Sequence, residues 1–103
     1  MIIYCDIDGV LLTQDKDNPS LYNKARPIQK NIDKLNKMYD DGNTIVLWTA
    51  RGSTSQIDHR ELTKKQLEIY GVKYHTLRMD KPYYDFMIDD KCYNGFDKYE
   101  KSK

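Results

Sequence analysis

No charge of one sign dominates this chain: 17 basic residues face 16 acidic ones, and the net charge is +1. That balance provides no broad field to draw the protein onto nucleic acid or an anionic membrane. No apolar run approaches the length of a membrane span. The opening segment Met1-Ile2-Ile3-Tyr4-Cys5 is too short for a signal peptide, so the sequence predicts a cytoplasmic protein that avoids membranes. Cysteine is scarce. Cys5 and Cys92 offer neither a disulfide framework nor metal-ligand spacing. Cys5 lies in an apolar run, where a buried thiol is the ordinary expectation. His59 and His75 lack partners at metal-ligand spacing. Repeats and low-complexity segments are absent as well. Phe is rare, at two residues, whereas Tyr is abundant, at nine. Tyr packs core edges with its hydroxyl in water, which accounts for most of that number.

A chain of 103 residues is the size of one domain, and the reading is a single domain over 1–103. Met1-Ile2-Ile3-Tyr4-Cys5 reads as a central strand covered on both faces, because it is apolar without alternation. Residues 12–26 turn polar and read as a surface loop or flap, with a turn at Asp17-Asn18-Pro19-Ser20. Pro27 is placed to open a helix. Ile28, Ile32, Leu35, Met38 and Tyr39 give that helix one apolar face, and Gly42 ends it. Thr44-Ile45-Val46-Leu47-Trp48 is a second buried strand. A second helix follows, with Ser55 and Asp58 at capping-box spacing and Gly71 as its stop. Residues 74–77 make a third strand and 84–88 a fourth. The tail 94–103 is polar, although Phe96 and Tyr99 can dock a short helix. This order predicts a compact α/β domain, Rossmann-like and three-layered, with a mainly parallel sheet of about four strands. In such sheets ligands bind beyond the carboxyl ends of the strands.

Polar clusters gather at those ends. Asp6 and Asp8 flank one residue after the first strand, and Gly9 permits a sharp turn. Phosphoryl transfer needs a nucleophile, a cation to neutralise the phosphate and a proton donor for the leaving oxygen, and paired carboxylates can divide these tasks. Taken alone, the same four residues fit a surface turn equally well. Thr49, Ala50 and Arg51 follow the second strand, where a hydroxyl and backbone N–H groups can hold phosphate oxygens; a surface ion pair is the plainer role for an isolated Arg. Lys81, fixed by Pro82, can steady both the nucleophile and the transferred phosphate. Asp89 and Asp90 close the set, one as a ligand for a hard cation and the other in support. Asp58, Arg60 and Glu61 open the second helix and read mainly as surface salt bridging.

In this order the four clusters resemble the haloacid dehalogenase superfamily of phosphatases, whose motifs match Asp6-Ile7-Asp8-Gly9-Val10-Leu11, Thr49-Ala50-Arg51, Lys81 and Asp89-Asp90. The resemblance spans roughly residues 1 to 93. Thr49-Ala50-Arg51-Gly52, Lys81-Pro82-Tyr83-Tyr84-Asp85 and Ile88-Asp89-Asp90-Lys91 look like small capless members associated with capsule or surface-polysaccharide synthesis. The resemblance implies that Asp6 forms an aspartyl-phosphate and that Asp8 is general acid and then base. It implies phosphoryl binding by Thr49 and the amides near Gly9, Ala50 and Arg51, and charge stabilisation by Lys81. It also implies Mg²⁺ on Asp6, the Asp8 carbonyl and Asp89, with Asp90 supporting. The second Asp favours phosphate esters over carbon–halogen bonds. Residues 12–26 are too few for a folded cap domain, so the site is expected to be open, or closed by a neighbouring copy in a homo-oligomer.

The expected activity is Mg²⁺-dependent hydrolysis of a small phosphate monoester, with sugar phosphate the first choice. Two alternatives stay open. A phosphatase of polynucleotide ends or nucleotides suits an open site, but the near-zero charge disfavours it. A receiver-like phosphorylatable signalling module shares acidic residues, a Thr, a Lys and Mg²⁺, but it places its acidic pair first in the chain.

Overall fold

A computed structural model describes residues 1–15, 17–18, 21–52, 58–92 and 96. Pro19, Ser20, Ser55 and, apart from Phe96, the tail 94–103 lie outside them. The described residues form three strands and two α-helices: β1 (Ile2–Cys5), α1 (Gln29–Asp40), β2 (Thr44–Trp48), α2 (Arg60–Ile69) and β3 (Thr76–Arg78). The strands run parallel in the order β1-β2-β3, with Ile3 opposite Ile45, Cys5 opposite Leu47 and Leu47 opposite Leu77.

Alternation along the strands decides the layers. Cys5, Ile45, Leu47 and Leu77 point to one side and join Ile32, Leu35 and Met38 of α1 and Leu67 of α2 in a single core. Both helices therefore cover the same face. Strands that advance in one direction through right-handed crossovers put their helices there. The three-layer expectation is corrected to two layers for the described elements.

The opposite face carries Ile2, Tyr4, Val46, Trp48 and Arg78, and Ile2 is 72% exposed. Tyr4 and Trp48 meet edge to face at 5.7 Å, and the Arg78 guanidinium lies over both rings. Arg78 also pairs with Asp80 at 2.7 Å and donates to the Tyr4 hydroxyl. Two aromatic rings packed edge to face, with a cation over them, give this face a cover of its own side chains.

Two expectations about the sheet change. The first strand is an edge rather than central, and residues 84–88 form no strand. Phe86 and Ile88 are 84% and 92% exposed, so that segment buries no apolar side chain against the sheet.

Both helices stop where expected, at Gly42 (φ +97°) and Gly71 (φ +68°), where a left-handed turn releases the chain. Their starts differ. Pro27 precedes α1 and bridges Leu12, while Ile28 is its N-cap. α2 begins after His59 without a side-chain cap; Asp58 accepts the Arg60 N–H, at 2.9 Å. The loop 12–26 is zipped at its base by Thr13 N–H to Arg26 O and by Ile28 N–H to Leu11 O. Leu12 and Ala25 are buried, so its two ends belong to the core rather than the surface. One 3₁₀ turn, Tyr22–Lys24, lies within it.

Candidate active site at the ends of the strands

After Cys5 the chain turns tightly: Ile7 is wholly buried, and its carbonyl accepts the N–H groups of Val10, Leu11 and Leu12. Gly9 makes this possible with φ +84°. The turn leaves the side chains of Asp6 and Asp8 on the same pocket as Thr49, Ala50, Arg51 and Lys81. Gln14, Tyr22, Tyr83 and Tyr84 complete its wall around roughly 150 Å³ of space. Gly9 itself lies outside the lining, and its N–H is already donated to Leu12 O at 2.8 Å.

Asp6 is half-buried. Its Oδ1 accepts the Ile7 N–H at 2.8 Å, and its Oδ2 lies 3.6 Å from Lys81 Nζ. Burial pushes its pKa above the usual carboxylate value, and the neighbouring Lys81 cation opposes that rise without cancelling it. Lys81 is held at both ends. Its N–H donates to Thr49 O, and its ammonium sits over the rings of Trp48 (5.7 Å) and Tyr84 (5.3 Å). Thr49 is 1% exposed, and its hydroxyl oxygen accepts the Arg51 N–H at 3.2 Å.

Asp8 meets Arg51 in a two-pronged pair, with Nε to Oδ2 at 2.9 Å and Nη2 to Oδ1 at 2.8 Å. Arg51 reaches further to Thr63 and Gln66 of α2, at 3.0 and 2.6 Å. Tyr22 covers its guanidinium face, 4.6 Å from the ring centroid.

Sequence reasoning passed over Thr63 and Gln66. The signal was present: they sit with Leu67 on the buried stripe of α2, where polar residues are out of place unless bonded. Tyr22 and Gln14 were also passed over, because a polar loop has no periodicity to show which side chains turn inward. Cys5, beside Asp6, is buried, and burial pushes its thiol up to about 12. Asp58, Arg60 and Glu61 stand outside the lining. His75 takes a structural place: its Nδ1 accepts the Ile45 N–H and its ring stacks on Tyr39.

Asp89 and Asp90 are exposed and are not among the pocket residues; Asp89 Oδ1 accepts the Lys91 N–H at 2.8 Å. Among the described residues no group of three His, Cys, Asp or Glu side chains is gathered to hold an ion. Both Asp8 oxygens accept from Arg51, while the Asp6 oxygens meet the Ile7 N–H and the Lys81 ammonium, so each carboxylate on the pocket already faces a donor or a cation. A hard cation seeking several oxygen ligands does not fit this side-chain arrangement.

No helix among the described residues is long and apolar enough to cross a membrane. No family model and no curated protein matches the chain. A crystal structure of a structural-genomics target from Vibrio cholerae is similar, at 24% identity and TM-score 0.80, over 93% of this chain and 85% of that one. At that identity the likeness shows the fold alone, and the fold is a small parallel α/β domain of the Rossmann-like kind.

Proposed function

We propose that the protein hydrolyses a small phosphate monoester through an aspartyl-phosphate on Asp6, as a capless member of the haloacid dehalogenase superfamily. One observation carries this reading: Asp6, Asp8, Thr49, Ala50, Arg51 and Lys81, scattered over most of the chain, line one pocket. Asp6 attacks phosphorus, the ester P–O bond breaks, and the leaving oxygen takes its proton from Asp8. Water, deprotonated by Asp8, then attacks the acyl-phosphate and releases phosphate and Asp6. Lys81 stands 3.6 Å from Asp6 and offsets the charge of the transferred group, while the Thr49 hydroxyl is placed to donate to one of its oxygens.

Mg²⁺ is the proposed cofactor. Among the described residues the side chains as arranged do not gather around a cation. Asp89 would join Asp6 if residues 84–88 left their exposed course and paired, as a fourth strand, with the edge of β1 that is unpaired among the described residues. Tyr83 and Tyr84 among the lining residues offer aromatic surface that suits a sugar ring, so a sugar phosphate is the favoured substrate.

The test is phosphate release from sugar phosphates, nucleotides and end-phosphorylated oligonucleotides, with and without Mg²⁺. Asp6→Asn is expected to lose at least about 1,000-fold in turnover. An Asp6→Asn variant that keeps its turnover would rule out the covalent mechanism. A folded wild-type protein inactive on every ester would favour the phosphorylatable signalling module.

A further inference from the structure

Among the described residues, Arg51 is the one charged residue counted as buried, at 2% exposure. A guanidinium has five N–H donors. Four are spoken for: two on Asp8, one on Thr63 and one on Gln66. Its ring-like face is covered by Tyr22. Little donor capacity is left for a phosphate, although the residue lines the phosphate pocket.

The acceptors on α2 are themselves fixed in polarity. The Thr63 hydroxyl gives its single proton to His59 O at 2.7 Å, so its lone pairs face Arg51. Gln66 donates its amide N–H to Tyr22 O at 2.7 Å, which leaves its oxygen turned to Nη1. The fork that meets Asp8 is thereby set from behind. An ionised carboxylate has about four acceptor sites, so Asp8 retains lone pairs for a proton in the pocket.

We propose that Arg51 is the positioning residue for proton transfer by Asp8, oriented by Thr63 and Gln66, and that it does not bind the transferred phosphate. The assignment rests on the phosphatase reading above. Lys cannot reproduce a two-pronged contact. Misplacing Asp8 harms two steps. Protonation of the leaving oxygen matters only when the leaving group is poor, whereas deprotonation of the water that hydrolyses the aspartyl-phosphate is common to every ester.

The experiment compares an alkyl phosphate with p-nitrophenyl phosphate, whose leaving group departs without a proton. Arg51→Lys is expected to lower kcat/KM, which reports only steps up to the aspartyl-phosphate, by about 100-fold on the alkyl ester and by less than about tenfold on the aryl ester. Inhibition by inorganic phosphate stays within about threefold. Gln66→Leu, which leaves Arg51 in place, gives a smaller split in the same direction and carries the test should Arg51→Lys not fold. Equal losses of kcat/KM on the two esters from an active wild type would overturn the assignment alone, since a purely structural role acts on both. So would a tenfold weakening of phosphate inhibition, which marks a direct contact. A wild type inactive on both esters overturns the phosphatase reading and this assignment with it.

Discussion

Asp6 is held in two opposed environments. Burial raises its pKa, and the Lys81 ammonium at 3.6 Å holds the rise in check. A nucleophile must be ionised, so the acid limb of kcat/KM is expected above the ordinary Asp value. Lys81→Met removes the opposing cation and moves that limb to higher pH; a limb that stays or falls would show that Lys81 does not act on Asp6. The same shift is a stability statement. The folded carboxyl binds its proton more tightly than the unfolded one, so stability falls as pH rises from the ordinary carboxylate range through the raised pKa. Asp6→Asn therefore gains Tm above that window and nothing below it. The gain stays under about 1 kcal/mol, because the side chain is 37% exposed and water screens it. The two thiols differ in kind: Cys5 is buried with its pKa pushed up, and Cys92 is exposed. A thiol-labelling time course on native protein is expected to show one fast thiol per chain, with Cys5 reacting only after unfolding.

At the scale of elements, the sheet depends on where its helices end. Gly42 at φ +97° releases α1 into β2, whose first residue follows one position after Asn43. Asn43 is buried and bonds Met38 O and the chain's first amino group, so the turn also anchors β1. A Cβ at Gly42 meets nothing within 4 Å, so any penalty comes from the backbone angle. Gly42→Ala is expected to cost about 1–2 kcal/mol in urea unfolding, and Gly42→Asn less, since Asn tolerates the left-handed region better. A neutral Gly42→Ala would mean that the angle is relaxed in solution. α2 bears a different burden. Its buried stripe contains Thr63 and Gln66, which cost solvation unless bonded, and both are spent on Arg51 and the flap.

Across the whole molecule, one sheet face is covered by helices, and the other by Tyr4, Trp48 and Arg78. Among the described residues no strand pairs with the outer edge of β1, and Ile88 is 92% exposed. Ile88→Ser is therefore expected to change stability by less than about 0.5 kcal/mol without divalent cations. If the proposed cation site assembles by folding residues 84–88 onto β1, the same substitution in millimolar Mg²⁺ costs about 1.5 kcal/mol. Chemical denaturation with and without Mg²⁺ separates the cases. A cost that Mg²⁺ leaves unchanged would remove the fourth strand from the proposal.

Local patterns were enough for the elements. Period-3.6 apolar spacing and the closing glycines revealed the helices, and the strand Thr44–Trp48 was readable to the residue, because these signals depend only on neighbours in the chain. The gathering of Asp6, Asp8, Thr49, Ala50, Arg51 and Lys81 at one end of the sheet also follows from parallel strands, whose carboxyl ends must coincide. Partners across the fold were beyond such signals. That Arg51 spends its donors on Asp8, Thr63 and Gln66 depends on how α2 sits against the sheet, as does the place of Tyr22. The apolar run at residues 84–88 has the composition of a strand, yet its pairing is a question of contacts far along the chain. Composition and periodicity set what each segment can become, and tertiary packing alone decides which side chains meet, because a hydrogen bond needs a distance and an angle.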